Sequence, residues 1–350
     1  MTVEIHSFQD DPLVWDTIVH QSPHGSLFHT WNWLKITERH TGTQLIPLMG
    51  MRDGVCIGIF PLFFQKKGLF NLVYSPPPRT ALFYLCPVIV DPDSLKQDKR
   101  ESIYTEFQNS VDDFIKNNLK ADYVLISLSP ALQDPRPFTW SGYTVEPHYD
   151  YVADISSGGE NLLQMMDKKQ RQNLNRAKKR GMSVELGGEK EFEAILDLMD
   201  IRYAQQAKIV TAPRPYFIDL YACYRDYLKI FVARTDGEIV TGSIDFQYKN
   251  IHYSWIGSPK PKVQISPSPN DLVMWESVLY AIDQGCSSYV TMSAAGNERL
   301  HSYYAAKFNP DLAIRFQAKR TSFFAGILEH GYTDIIKPLK GKTRQLLKKY

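Results

Sequence analysis

Two stretches of the chain share one hydrophobic pattern. Leu45 to Phe64 (LIPLMGMRDGVCIGIFPLFF) and Leu228 to Tyr248 (LKIFVARTDGEIVTGSIDFQY) are apolar runs broken by Asp53-Gly54 and by Asp236-Gly237. Asp and Gly tolerate the positive φ of a tight hairpin turn, so each stretch is predicted to form two strands joined by that turn. A further Gly follows four or five residues after each turn. Helical spacing precedes both, in TWNWLKITERH and in EFEAILDLMDIRYAQQA, where Phe192, Ile195, Leu196 and Met199 fall on one face. A helix and another apolar strand follow both: YTEFQNSVDDFIKNNL then DYVLISLS, and LVMWESVLYAIDQG then SYVTMS. One order of elements written twice predicts a duplicated α/β unit.

The Ser and Gly residues of YDYVADISSGGE place the seam near Asp150 to Gly159. The expected division is an N-terminal domain over 1–150, a C-terminal domain over 151–320 and a basic tail over 321–350. The second domain is expected to open with a basic helix over 160–181, capped by Ser156 or Ser157. Leu163, Met166, Gln170, Leu174 and Ala177 would form its modest buried stripe, with Gly181 just past its end.

Charge sharpens the picture at that helix. The 350-residue chain carries a net charge of only +2, so it lacks the overall field of a dedicated nucleic-acid binder and any polyanion contact must be local. Lys168, Lys169, Arg171, Arg176, Lys178, Lys179 and Arg180 supply such a patch: seven cations in thirteen positions. Three readings stand for it: an RNA contact, a site element in which Lys168 and Arg171 meet a phosphate or carboxylate, or a solvated connecting helix. In the tail, DIIKPLKGKTRQLLKKY, Pro338 and Gly341 interrupt the apolar positions, which argues against a continuous membrane-surface helix. The four cysteines show no CxxC spacing and the histidines no HExxH, so neither a disulfide framework nor a metal site is expected. No apolar run reaches the length of a membrane span and Met1 to Asp11 has no signal-like apolar core, which makes the cytoplasm the expected location.

Five segments in order, SLFHTWNWLKI, the hairpin ending IGIFPLFF, KKQRQNLNRAKKRGMSVE, PNDLVMWE and YYAAKFNP, resemble the Fem-type (FemAB-like) branch of the GNAT superfamily over about residues 20 to 320. The resemblance implies an α/β (α+β) fold of two tandem GNAT-like domains, each a mixed, mostly antiparallel sheet flanked by helices. It implies transfer of an acyl or aminoacyl group onto an amine of a small molecule or peptide. The donor would be a co-substrate, aminoacyl-tRNA or acyl-CoA, with no permanently bound cofactor. A tRNA is then a possible macromolecular partner. In many relatives an Asn opens a helix after the fifth strand and a Tyr seven residues later protonates the departing group. Asn297 and Tyr304 keep that interval here, beside Tyr303, and Lys307 one turn further on would make the Tyr304 hydroxyl a better proton donor. The glycine loop that holds the diphosphate of CoA has no counterpart in PKPKVQISPSPNDLVMWE, which favours aminoacyl-tRNA slightly. Ser268, Pro269 and Asp271 instead form a capping-box pattern, with Asn270 at the helix start.

Amide formation further needs a base for the amine and donors for the developing oxyanion. Asp245 and Glu276 are the candidate bases. Tyr253 and Trp255 alternate along HYSWIGS and are predicted to share one side of a strand, as walls of the acceptor channel or as core. A catalytically silent scaffold that binds RNA or an anionic surface is the alternative to the enzyme.

Overall fold

The computed structural model describes residues 3–90, 94–205, 212–257, 265–292 and 307–330. The first half runs β1 (Glu4–Ser7), α1 (Pro12–Gln21), α2 (Trp31–Thr41), β2 (Gln44–Arg52), β3 (Val55–Lys67), β4 (Phe70–Ser75), β5 (Val88–Ile89), α3 (Gln97–Asn117), β6 (Tyr123–Ser127), α4 (Arg136–Trp140) and β7 (Thr144–Asp154). Two linking helices follow, α5 (Gly159–Met165) and α6 (Lys168–Lys179). The second half runs β8 (Ser183–Gly187), α7 (Glu189–Gln205), α8 (Arg214–Tyr224), β9 (Leu228–Thr235), β10 (Glu238–Tyr248), β11 (Ile251–Gly257), α9 (Pro269–Asp283), β12 (Ser288–Thr291) and β13 (Asp311–Thr321), with α10 (Phe323–His330) after it. The duplication is therefore real, and fuller than its hydrophobic pattern: α1, α8 and β13 also have counterparts in the opposite half.

Both predicted hairpins form. Asp53 and Gly54 have φ of 51° and 78°, Asp236 and Gly237 53° and 83°, the turn geometry these residues tolerate. The glycine after the second turn is needed for close approach: a Cβ on Gly242 would lie 2.4 Å from the Phe231 carbonyl oxygen, beside a register shift between β9 and β10. The strands are near-continuously apolar because both faces of the sheet are covered. On one face α1, α2, α7 and α8 share a single core that joins the halves, with Trp15, Trp33, Tyr216 and Phe246 fully buried. There α2 packs on α8 through Trp33 Nε1 to the Tyr216 hydroxyl (3.1 Å) and Arg39 to Asp219 (2.8 Å). On the opposite face α3 covers the first half and α9, with α5 and α6, the second.

The strands form one sheet in the order β1-β2-β3-β4-β6-β13-β7-β12-β11-β10-β9-β8, with β5 on β3. All pairs are antiparallel except β4 with β6 and β11 with β12. The last strand of each half is exchanged: β7 pairs with β12 of the second half, and β13 pairs with β6 of the first. The expected boundary at 150/151 falls inside β7, so the halves are structural repeats that share their closing strands. The basic helix over 160–181 is also corrected. It is two helices broken at Met166 and Asp167, with Gly158 rather than Ser156 or Ser157 at the first N-cap. Leu163 lies outside the stripe at 36% exposure, whereas Met166, Leu174 and Ala177 are buried. Gly181 follows the end of α6 with φ of 75°, as expected of a residue there.

Candidate functional site

A parallel strand pair joined through a helix diverges where one strand ends, and here this happens twice. β11 and β12 pair from Ile251 with Ser288 to Ser254 with Thr291, and beyond that β11 continues to Gly257 with no partner on this side among the described residues. The departure coincides with a bulge: Ile244 pairs Ile256 and Phe246 pairs Tyr253, so Ser254 and Trp255 both oppose Asp245. The extra residue accompanies the divergence of β11 from β12, which among the described residues forms a second fork. In the first half β4 and β6 part after Ser75 and Ile126. That fork is filled by its own chain. Leu85 N donates to the Ser127 carbonyl (3.0 Å) and the Ser75 hydroxyl donates to the Leu85 carbonyl (2.5 Å).

Register places both forks toward the middle of the sheet. β6 reaches Gln317 of β13 and β12 reaches Tyr151 of β7, while Ala313 to Phe316 pair with Asp150 to Pro147 between those limits. On this strip Arg315 donates from Nε to the fully buried Asp150 (3.1 Å) and from Nη1 to the Phe83 carbonyl (3.4 Å). Phe83 belongs to the segment after β4, which crosses from the first half to wall the second fork. Its Ala81 carbonyl accepts from Trp255 Nε1 (2.8 Å), and its Tyr84 is hydrogen-bonded to Tyr253. Burial pushes the Tyr253 phenol up to about 12, so both hydroxyls stay protonated.

The predicted site residues divide by position. Tyr253 and Trp255 do share the face that joins the halves; Tyr253 stacks on Phe246 at 4.6 Å and both are buried. Asp245 faces the other way, sealed beneath α9. The Ser277 hydroxyl donates to its Oδ2 (2.5 Å), and His252 Nε2 lies 3.2 Å from the same oxygen and 3.0 Å from Ser277. Asp245, His252 and Ser277 are all fully buried, so this set ties β10, β11 and α9 together and Asp245 has no route to a bulk substrate. Glu276 is at the surface of α9 and pairs with Lys178 of α6 (2.9 Å). Asn270, at the start of α9, accepts from the Thr241 hydroxyl (2.6 Å).

Lys307 is buried, 3% exposed, and its ammonium donates to Asp271 (2.6 Å). Burial lowers its pKa and Asp271 opposes that shift. This corrects the capping box: Ser268 is the N-cap of α9 without a side-chain bond, and Asp271 is turned toward Lys307. Arg171 caps the end of α5, with Nη1 at 2.8 Å from the Gln164 carbonyl and 2.9 Å from that of Met166. Lys168 is exposed at the start of α6, beside Lys169. Asn297, Tyr303 and Tyr304 lie outside the described residues, as does most of the basic tail.

The sequence carried no period or motif for Leu85, Tyr84 or Ser277; the one local signal was the Pro76-Pro77-Pro78 run that opens the crossing segment. Among the described residues no group of His, Cys, Asp and Glu could hold a metal, and no helix is long and apolar enough to cross a membrane.

Comparison with known proteins agrees with this architecture. Residues 168–303 match the family described as Acetyltransferase (GNAT) domain, from α6 through β12. Among solved structures, FemX matches with a TM-score of 0.66 and 14% identity, covering 89% of this chain and 96% of that one. The C-terminal domain of a putative lysylphosphatidylglycerol synthetase from Agrobacterium fabrum matches with a TM-score of 0.56, 14% identity, and coverage of 92% and 95%. A tandem GNAT protein from the clavulanic acid biosynthesis pathway matches with a TM-score of 0.54, 12% identity, and coverage of 91% and 98%. No curated protein sequence matches this chain. At these identities the solved structures show the fold alone, a doubled architecture like that of FemX and the tandem GNAT protein.

Proposed function

We propose that this chain, with an acetyltransferase (GNAT) domain over residues 168–303 set in a doubled GNAT fold, makes an amide by acyl or aminoacyl transfer at the fork between β11 and β12. The observation that carries the reading is the inequality of the two forks. Leu85 fills the first, while in the second no described residue pairs with β11 on the β12 side beyond Ser254. The acceptor amine attacks the donor carbonyl carbon, the carbonyl oxygen gains the electron pair, and backbone N–H groups of β11 past Ser254 stabilise that oxyanion. Collapse of the intermediate re-forms the carbonyl and expels the tRNA 3′-hydroxyl or the CoA thiol. Tyr304 is proposed, by the Asn297 to Tyr304 interval, to give the leaving group its proton, and its phenolate is reprotonated by the proton that the acceptor nitrogen sheds as the amide forms. Lys307, already bound to Asp271, acts by holding the chain before β13 against α9. Neither Asp245 nor Glu276 is well placed as base, the first sealed and the second paired with Lys178.

Aminoacyl-tRNA is the favoured donor. Asp271 and Pro269 occupy the helix end where a diphosphate would sit, and α6 presents Lys168, Lys169, Arg176 and Lys179 outward for phosphates. The family description keeps acyl-CoA as the second reading. Purified protein given charged tRNAs or acyl-CoAs with peptide and amino-sugar acceptors tests both: ribonuclease-sensitive amide formation identifies tRNA, and stoichiometric thiol release identifies CoA. Absence of amide product with either donor class would end the proposal. Tyr304→Phe is expected to lower kcat by about 10²-fold or more with KM little changed.

A further inference from the structure

We propose that one end of the first-half sheet is a docking surface for an anionic lipid membrane. β3, β4, β6 and β13 reach that end together: Lys67 pairs Phe70 across the β3–β4 turn, Leu72 pairs Tyr123, and Tyr123 pairs Thr321. Asp122 ties together the three chain segments there. Its backbone N–H donates to the Asn71 carbonyl (2.8 Å), its Oδ2 accepts from Asn71 N (2.9 Å), and its carbonyl accepts from Ser322 N (2.6 Å). The turn after β3, the loop before β6 and the start of α10 are thereby held side by side. The strip between the forks, Ala313 to Phe316, lies back along β13 from this end, so the surface is apart from the proposed transfer site.

The side chains on these segments are poorly suited to water alone. Leu69, two residues before Asn71, is 92% exposed; Phe323, Phe324 and Ile327, on α10 just past Ser322, are 77%, 73% and 54% exposed. Large apolar side chains open to solvent on neighbouring segments mark an interaction surface. Lysines accompany them: Lys66 and Lys67 precede Leu69 in the same turn, and Lys120 is exposed in the loop before β6. The Asp122 carboxylate is spent on Asn71 and Ser322, and Asp113 is exposed further back, on α3. From α10 to the end of the sequence, six lysines and arginines stand against Glu329 and Asp334. A neutral apolar patch would take the apolar tips and leave the lysines unanswered, and an acidic polymer would take the lysines and leave the tips in water. An anionic bilayer answers both, the tips entering the acyl boundary while the ammonium groups meet lipid phosphates. No described helix is long and apolar enough to cross a membrane, so the contact is peripheral. It is assembled from separate segments, so the breaks at Pro338 and Gly341 do not bear on it.

The full-length protein is sedimented with vesicles of phosphatidylcholine alone and with vesicles containing about one quarter phosphatidylserine. Binding to the anionic vesicles is expected to be at least about tenfold tighter, and to weaken in about 0.5 M NaCl. Phe323→Ser combined with Phe324→Ser is expected to weaken it at least about tenfold, as loss of two lipid-buried rings implies. Lys66→Gln combined with Lys67→Gln is expected to do so by about tenfold. The unfolding temperature of both variants should stay nearly unchanged, because these side chains are exposed. Val55→Ser, which alters an exposed apolar residue at the opposite end of β3, should leave binding as it was. No sedimentation with anionic vesicles at about 1 mM lipid overturns the proposal, as does equal binding to neutral vesicles. Binding that survives the double phenylalanine variant places the contact elsewhere and overturns it as well. So does a concentration-dependent dimer that the same variant abolishes, because the face then belongs to a second copy of the chain. The readout needs no turnover, so it stands or falls separately from the proposed transferase activity.

Discussion

Lys307 shows how a residue's spacing and its surroundings can assign it different work. By spacing it stands one turn past Tyr304, but burial forces its ammonium onto Asp271. Removing one partner of a buried pair leaves an uncompensated charge, so Lys307→Met is expected to cost about 3 kcal/mol or more in urea unfolding. Lys307→Met combined with Asp271→Leu should recover much of that loss. His29 is the second such case. Its ring is fully buried, with Nδ1 2.9 Å from the Ser26 hydroxyl and Nε2 3.1 Å from the Cys86 backbone, and burial pushes its pKa down to about 3. The unfolded chain titrates near 6.5, so between the two values the unfolded state binds a proton that the folded state does not. Stability contributed by His29 is therefore complete above about pH 6.5 and is lost as pH falls toward 3, by up to about 5 kcal/mol. His29→Gln is expected to flatten that part of the stability profile, measured by denaturant midpoints across the window.

The elements follow local rules where neighbours leave them alone. Asp-Gly turns, the α7 stripe of Phe192, Ile195, Leu196 and Met199, and Gly181 after α6 all take the form their residues prefer. Gly242 is different, because its need comes from a neighbouring strand: Gly242→Ala drives a methyl against the Phe231 carbonyl. It is expected to destabilise by about 2 kcal/mol, against a small effect for an exposed substitution such as Lys169→Ala. The basic helix breaks at Met166 because Arg171 turns back to close α5, spending its Nη1 on the carbonyls of Gln164 and Met166. Arg171→Leu should accordingly speed hydrogen exchange of amides in 159–166. If it instead weakened donor binding with that protection intact, the capping role would be wrong.

For the molecule as a unit, the consequence of exchanged closing strands is mutual dependence. A fragment ending at 158 keeps β7 without β12, and a fragment starting at 159 keeps β13 without β6. Each alone exposes an unpaired edge and half of the shared core, so each is expected to aggregate or remain unfolded. Co-expression should restore a soluble pair that unfolds in one transition. Two independent, well-folded fragments by circular dichroism and gel filtration would contradict the exchange. The same arrangement makes the fork between β11 and β12 composite: Ala81 and Tyr84 of the first half meet Trp255 and Tyr253 of the second.

The doubled architecture, the hairpins and the helical stripes were legible along the chain, because each rests on a local period or turn and is repeated. The resemblance supplied the reaction class. Which fork the chain between β4 and β5 fills, where Asp245 and Lys307 point, and which strands close which half were not legible. Those depend on contacts between residues far apart in sequence, such as Leu85 with Ser127 and Trp255 with Ala81, and on burial that makes an ion pair the only tolerable state for a charge. Local spacing carries no record of either; they exist once the two halves have packed.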